Sequence, residues 1–169
     1  WNGMTATDEL KNQINFSSAY MNNSQVAVIR KADAAKYKDL ASMSGAKVVA
    51  EAGSAGEIAV KADAGLSKSY LPVKDQGTSL MEVKSKTADI AIIDAVTAAG
   101  SIGEGTDYDD LMIVDVISSA DSEVYAVGIR KSDTELTAKI NAAIKELYDD
   151  GTLAKLAEKY NLSGRVIAQ

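Results

Sequence analysis

The sequence predicts an α/β fold built around a doubly wound sheet layer. Three observations carry that expectation. Short runs rich in β-branched residues recur through the middle of the chain. Helical stretches opening on small or polar turns alternate with them, the pattern of βαβ units. One run, Ile90-Ala91-Ile92-Ile93, is apolar without interruption, as in a strand of a parallel sheet covered on both faces.

In chain order, strands are expected at residues 25–29, 48–50, 71–73, 90–93, 112–114 and 124–129. Helices are expected at 57–64, after a Gly-Ser-Ala-Gly turn, at 78–85 with Thr78 as cap, and at 96–99. Ser132-Asp133-Thr134-Glu135 has the spacing of a capping box ahead of an apolar stripe at Leu136, Ile140, Ala143, Ile144 and Leu147. That helix should stop near Asp150-Gly151, where glycine supplies a left-handed cap. A last helix follows from Leu153 to Tyr160, with Leu153, Leu156, Ala157 and Tyr160 on one side. These two amphipathic helices need more surface to cover than the mid-chain sheet supplies. Polar, small-residue stretches near 19–24 and 118–123 are the expected breaks, making residues 25–120 a domain entered and left by two chain crossings.

Composition narrows the function. The 169 residues suit one domain, or one domain plus part of another. With 18 basic and 24 acidic side chains the net charge is -6, the wrong sign for neutralising phosphates, so nucleic acid is not an expected partner. Cysteine and histidine are absent, which removes disulfides, thiolate–imidazole pairs and histidine triads. No cofactor, metal or catalytic residue is expected. No apolar run approaches the roughly 20 residues of a membrane span. The opening Trp1-Asn2-Gly3, without Met, reads as an artificial boundary or a processed fragment.

Three segments could carry chemistry. Val48 through Glu57 runs from a strand through a small-residue turn into a helix, so the N–H groups at Ser54, Ala55 and Gly56 could receive an anion; alternatively Ser54 is a plain N-cap. Asp94 ends the buried strand at its carboxyl end, where open α/β sheets bind ligands, and could take an ammonium group; equally, it could cap the helix that follows. Gly3-Met4-Thr5-Ala6-Thr7-Asp8-Glu9 reads by itself as a helix start capped by Thr7 or Thr5.

In this order and spacing, these segments resemble the amino-acid-binding solute receptors of ABC importers, with the type II periplasmic-binding-protein fold. Gly3-Met4-Thr5-Ala6-Thr7-Asp8-Glu9 is similar to the family's Gly-Met-Thr-x-Thr-Asp-Glu-Arg. Asn15-Phe16-Ser17-Ser18-Ala19-Tyr20 resembles its Phe-Ser-x-Pro-Tyr, and Gly53-Ser54-Ala55-Gly56-Glu57 its Gly-Thr-Thr-x-Glu. Ala88 through Asp94 and Asp149-Asp150-Gly151-Thr152-Leu153 through Tyr160 match its later signatures. The resemblance implies residues 1–20 as a remnant of the first lobe and 21–125 as the second lobe. Hinge strands would lie at about 19–25 and 121–125, with 126–169 returning to the first lobe. It implies ligand contacts from Asn2, Gly3 and Thr5 and from Glu51, Ser54, Ala55, Gly56 and Asp94. It also implies a permease partner and a place outside the cell, through a signal and lipid anchor or in the periplasm.

Two departures matter. Most of the family's first lobe has no counterpart here, so it is expected to lie on a separate N-terminal fragment, to have been cut away, or to be replaced by self-association over the C-terminal helices. Leu10 stands where the family has an Arg that grips the ligand carboxylate. The resemblance places Glu51 facing the ligand beside Asp94, so the expected ligand either carries extra positive charge or is an amino acid held less tightly than usual. The rivals are an enzyme on the same fold, dehydratase-like, and the ligand-binding domain of a receptor.

Overall fold

A computed structural model describes residues 3–117 and 123–169. In order, the elements are α1 (Asp8–Lys11), β1 (Asn15–Phe16), β2 (Met21–Asn23), β3 (Gln25–Arg30), β4 (Val48–Glu51), α2 (Ala55–Ala62), β5 (Tyr70–Val73) and α3 (Gln76–Lys84). They continue with β6 (Ile90–Asp94), α4 (Ala95–Ser101), β7 (Leu111–Val116), β8 (Glu123–Tyr125), β9 (Gly128–Ile129), α5 (Thr134–Asp149) and α6 (Thr152–Lys159). The described chain divides into a sheet unit that begins at Ser24 and a terminal unit, which joins the segment ending at Asn23 to the segment from Glu123 onward.

The sheet unit holds one five-stranded sheet in the order β5-β4-β6-β3-β7. β4 runs parallel to β5 and β6, while β3 runs antiparallel to β6 and β7. The sheet is therefore mixed rather than purely parallel. Burial on both faces demands an apolar run whichever way the neighbouring strand points, so β6, buried at all five positions, could not report its neighbour's direction.

Strand periodicity separates the two faces. Val26, Val28, Val49, Ala91 and Ile93 point to one side, against Leu80 and Val83 of α3 and Ala95 and Ala98 of α4. Ala27, Ile29, Val48, Ala50, Ile90 and Ile92 point to the other, against Val60 of α2 and the loop residues Tyr37, Met43 and Leu66. Helices thus cover both faces, and each fully buried aliphatic side chain contributes on the order of 1.5–3 kcal/mol. At the end of β3, Arg30 Nη1 donates to the carbonyls of Val83 (2.6 Å) and Ala88 (2.7 Å), and its Nε donates to Asp33 (2.6 Å). One guanidinium thereby satisfies carbonyls around the C-terminus of α3.

In the terminal unit, β1 pairs with β9 and β2 with β8, both antiparallel. The single strand expected at 124–129 is two strands. Between them the chain bonds elsewhere: Ala126 N–H donates to Met4 O at 3.1 Å, and Val127 N–H donates to Ser17 Oγ at 2.9 Å. Thr7 caps α1, its hydroxyl accepting from Leu10 N–H at 3.3 Å. The capping box expected at 132–135 does not form. Asp133 holds the N-cap position without a side-chain bond to the helix, because Arg130 Nε (2.8 Å) and the Ser132 hydroxyl (3.1 Å) engage its carboxylate. Gly151 is left-handed, φ 79°, and separates α5 from α6 as expected.

Those two helices are sparsely covered. Ile144 is the buried residue of α5 and Ala157 that of α6. Beside them lies a hollow of about 250 Å³ lined by Tyr20, Met21, Ile144, Leu147, Leu153, Leu156, Ala157, Tyr160, Leu162 and Val166. Leu156 is 48% and Tyr160 61% exposed.

Candidate functional site

Because β4, β5 and β6 are parallel, their carboxyl ends meet at one edge of the sheet. β4 ends on Glu51, β6 ends on Asp94, and Asp75 follows β5 as the N-cap of α3. α2 starts at the same edge with Ser54 as its N-cap.

Asp94 is buried, 7% exposed, and caps nothing with its side chain although it precedes α4. Its carboxylate accepts from two side-chain amides. Gln25 Nε2 donates to Oδ1 and Gln76 Nε2 to Oδ2, each at 2.6 Å. The Gln76 side chain closes a second bond, its Oε1 accepting from the Asp94 N–H at 3.1 Å. Asp94 thus occupies the N-cap position of α4 without a side-chain bond to the helix.

Glu51 is half-buried, and its carboxyl is pushed above the ordinary glutamate value. Burial is the largest cause, followed by the negative charges of Asp94 and Asp75, with the Gln76 backbone N–H offsetting part. Asp75 moves the other way, because the backbone N–H and then the side chain of Thr78 stabilise its charged form. Its carboxylate accepts from Thr78 N–H at 2.7 Å. α3 thus begins at Gln76, with Asp75 rather than Thr78 as its cap.

The start of α2 shows where Ser54 is spent. Its hydroxyl donates to Glu51 O at 2.7 Å and accepts from Glu57 N–H at 3.2 Å, while Gly53 N–H donates to Glu57 Oε2 at 2.7 Å. Ser54 is a helix cap, and the first-turn N–H groups at Ala55 and Gly56 lack intrahelical acceptors by geometry. Gly56 cannot carry a side chain cheaply: a Cβ there would lie 3.0 Å from Gln25 Oε1 and from Ile92 O. Gln25 therefore touches the start of α2 on one side and Asp94 on the other. Glu51, Ser54, Ala55, Gly56 and Asp94 come together on one edge.

The remaining candidates belong to the terminal unit. Thr5 donates its hydroxyl proton to Glu123 Oε1 at 2.7 Å, and Glu123 also accepts from Asn23 Nδ2 at 2.7 Å. Gly3 lies against Tyr125, where a Cβ would come within 2.6 Å of the ring. Asn2 lies outside the described residues. Sequence reasoning missed Gln25, Gln76 and Asp75. The signal available was a polar Lys74-Asp75-Gln76 run directly after a strand, at the end where α/β sheets bind ligands. Among the described residues no acidic cluster is arranged to hold a metal ion.

Residues 1–163 match the bacterial extracellular solute-binding proteins, family 3. The chain is 33% identical over 162 residues to the arginine-binding extracellular protein ArtP of Bacillus subtilis strain 168, covering 94% of this chain and 60% of ArtP. Among solved structures it resembles a variant of ArgBP from T. maritima, at 30% identity and a TM-score of 0.80, covering 94% of this chain and 66% of that one. It also resembles an ancestral amino-acid-binding protein described as a precursor of cyclohexadienyl dehydratase, at 31% identity and a TM-score of 0.79, covering 94% and 66%. The chain thus spans less than two thirds of the length of ArtP.

Proposed function

The chain belongs to family 3 of the bacterial extracellular solute-binding proteins, and on that premise we propose that it binds a cationic amino acid and delivers it to an ABC transporter permease. Arginine is the first candidate ligand, as it is in the names of ArtP and ArgBP.

One observation carries the choice of a cation. Glu51 is held near Asp94 and Asp75 at a partly buried sheet edge, against both burial and like charge. A cation placed there relieves the repulsion and recovers the energy spent gathering the carboxylates. In this reading Asp94 takes the α-ammonium, Glu51 attracts the side-chain cation, and the N–H groups of Ala55 and Gly56 receive the carboxylate. Ser54 shapes that turn through its cap. Leu10 offers no guanidinium to the ligand carboxylate, so cation recognition has to supply more of the affinity.

The protein acts as a binder and not as an enzyme. The relatives named above are described as binding proteins, and the Gln25 and Gln76 amides that donate to Asp94 orient a carboxylate but do not relay its proton. Turnover of a prephenate-like substrate would contradict that point. We place the protein outside the cell, lipid-anchored or periplasmic. The apolar hollow of the terminal unit supports a covering partner, either a second copy of the chain or a separate N-terminal fragment.

Titration calorimetry tests the proposal with arginine, lysine, ornithine and polyamines against glutamate and aspartate. Preference for the cationic set is expected. Preference for the acidic pair would overturn it.

A further inference from the structure

We propose that Asp75 sets the charge selectivity of the binding edge: its carboxylate favours a ligand with a cationic side chain over an uncharged ligand of the same shape. The proposal rests on the functional reading above and adds to it a residue that acts through its charge rather than through contact with the ligand.

Strand register brings Asp75 to this edge. β4 and β5 run parallel with Glu51 opposite Val73, and Asp75 follows two residues later as the N-cap of α3. The start of that helix then holds two carboxylates. Asp75 Oδ1 accepts from Thr78 N–H at 2.7 Å, and the Glu51 carboxyl accepts from Gln76 N–H, one residue beyond the cap. The N–H groups at a helix start stabilise negative charge, which keeps the two acids together. They are close enough for the charge of Asp75 to act on Glu51.

The Asp75 charge is not spent within the protein. Among the described residues no lysine or arginine lies within ion-pair distance of it. Lys74 stabilises it less than the Thr78 bonds do and is itself exposed. A negative charge beside a bound ligand acts on the ligand's net charge. In a zwitterion with an uncharged side chain, attraction on the ammonium and repulsion on the carboxylate largely cancel. A cationic side chain adds an attraction that nothing offsets. Asp75 therefore separates ligands by side-chain charge and not by size.

The test compares arginine with citrulline, whose uncharged ureido group replaces the guanidinium at the same length. Dissociation constants are measured for both by calorimetry near neutral pH, in the unsubstituted protein and in Asp75→Asn. Asparagine keeps an oxygen for Thr78 N–H and loses only the charge. The variant is expected to bind arginine roughly fivefold more weakly, and citrulline within about twofold of the unsubstituted protein. The arginine loss should shrink as salt rises from about 0.01 M to about 1 M, where the screening length falls from about 30 Å to about 3 Å. Equal weakening of both ligands means that Asp75 only shapes the start of α3 and overturns the proposal, as does unchanged arginine binding or a loss that salt leaves unaltered. If Asp75→Asn does not fold, Asp75→Ser, which also caps, carries the same expectations. If the unsubstituted protein binds neither compound, or binds the two equally, the functional reading falls, and this proposal with it. That result is distinct from a preference for arginine that the substitution leaves intact.

Discussion

α3 and α6 are nearly equal in length, yet α3 buries Ser79, Leu80 and Val83 while α6 buries Ala157 alone. The contrast runs through the two units. The sheet unit encloses its own core, with helices and loops on both faces of the sheet. The terminal unit has short strand pairs and two amphipathic helices whose apolar stripe borders an open hollow. Amphipathic patterning states that a helix has something to cover; it does not state that the covering surface is present in the same chain. The unit with the closed core is also the one that gathers the carboxylates of the proposed binding edge.

Ile92→Ala, in a strand buried on both faces, should cost about 2–5 kcal/mol in urea unfolding. Leu156→Ala, beside the open hollow, should cost less than about 0.5 kcal/mol. Similar costs at the two positions would mean that α6 is covered in solution. Next in size, Arg30→Ala should cost about 2–3 kcal/mol in the same assay, because it leaves the Val83 and Ala88 carbonyls without their charged donor. Gly151→Ala should cost about 1 kcal/mol by forcing an L side chain into the left-handed region between α5 and α6.

The smallest effect on stability concerns Glu51, and its sign is informative. Its carboxyl titrates above the ordinary glutamate value in the folded state, so its ionisation opposes folding. That cost is absent in acid, grows as pH rises from the unfolded value through the folded one, and is complete near neutrality. Glu51→Gln should therefore raise the melting temperature of the ligand-free protein near neutral pH, on the order of 1–2 °C, and leave it unchanged in acid. The same substitution should weaken arginine binding. A variant that melts lower at neutral pH would remove the idea that this carboxylate is held under strain.

How much of this was legible in the sequence follows from which interactions are local. The strands of the sheet were legible because β-branched apolar runs such as Val26-Ala27-Val28-Ile29 have few other uses. The direction of β3 was not, since burial on two faces leaves the same signature for either neighbour. Caps were ambiguous where several candidates crowd one turn. Asp75 and Thr78 both suit a helix start, and the carboxylate of Asp133 is drawn to Arg130 rather than to its helix. Asp94 was visible as a carboxylate at a strand end, but its amide partners come from residues 69 and 18 positions away and could not be read from local spacing.

A crystal structure of the protein with arginine bound tests the central claim most directly. The α-nitrogen is expected within hydrogen-bond distance of Asp94, with Gln25 and Gln76 still on its carboxylate, and the guanidinium on the side of Glu51. Arginine bound away from the carboxyl ends of β4 and β6, or with its carboxylate rather than its cationic groups nearest these acids, would contradict it.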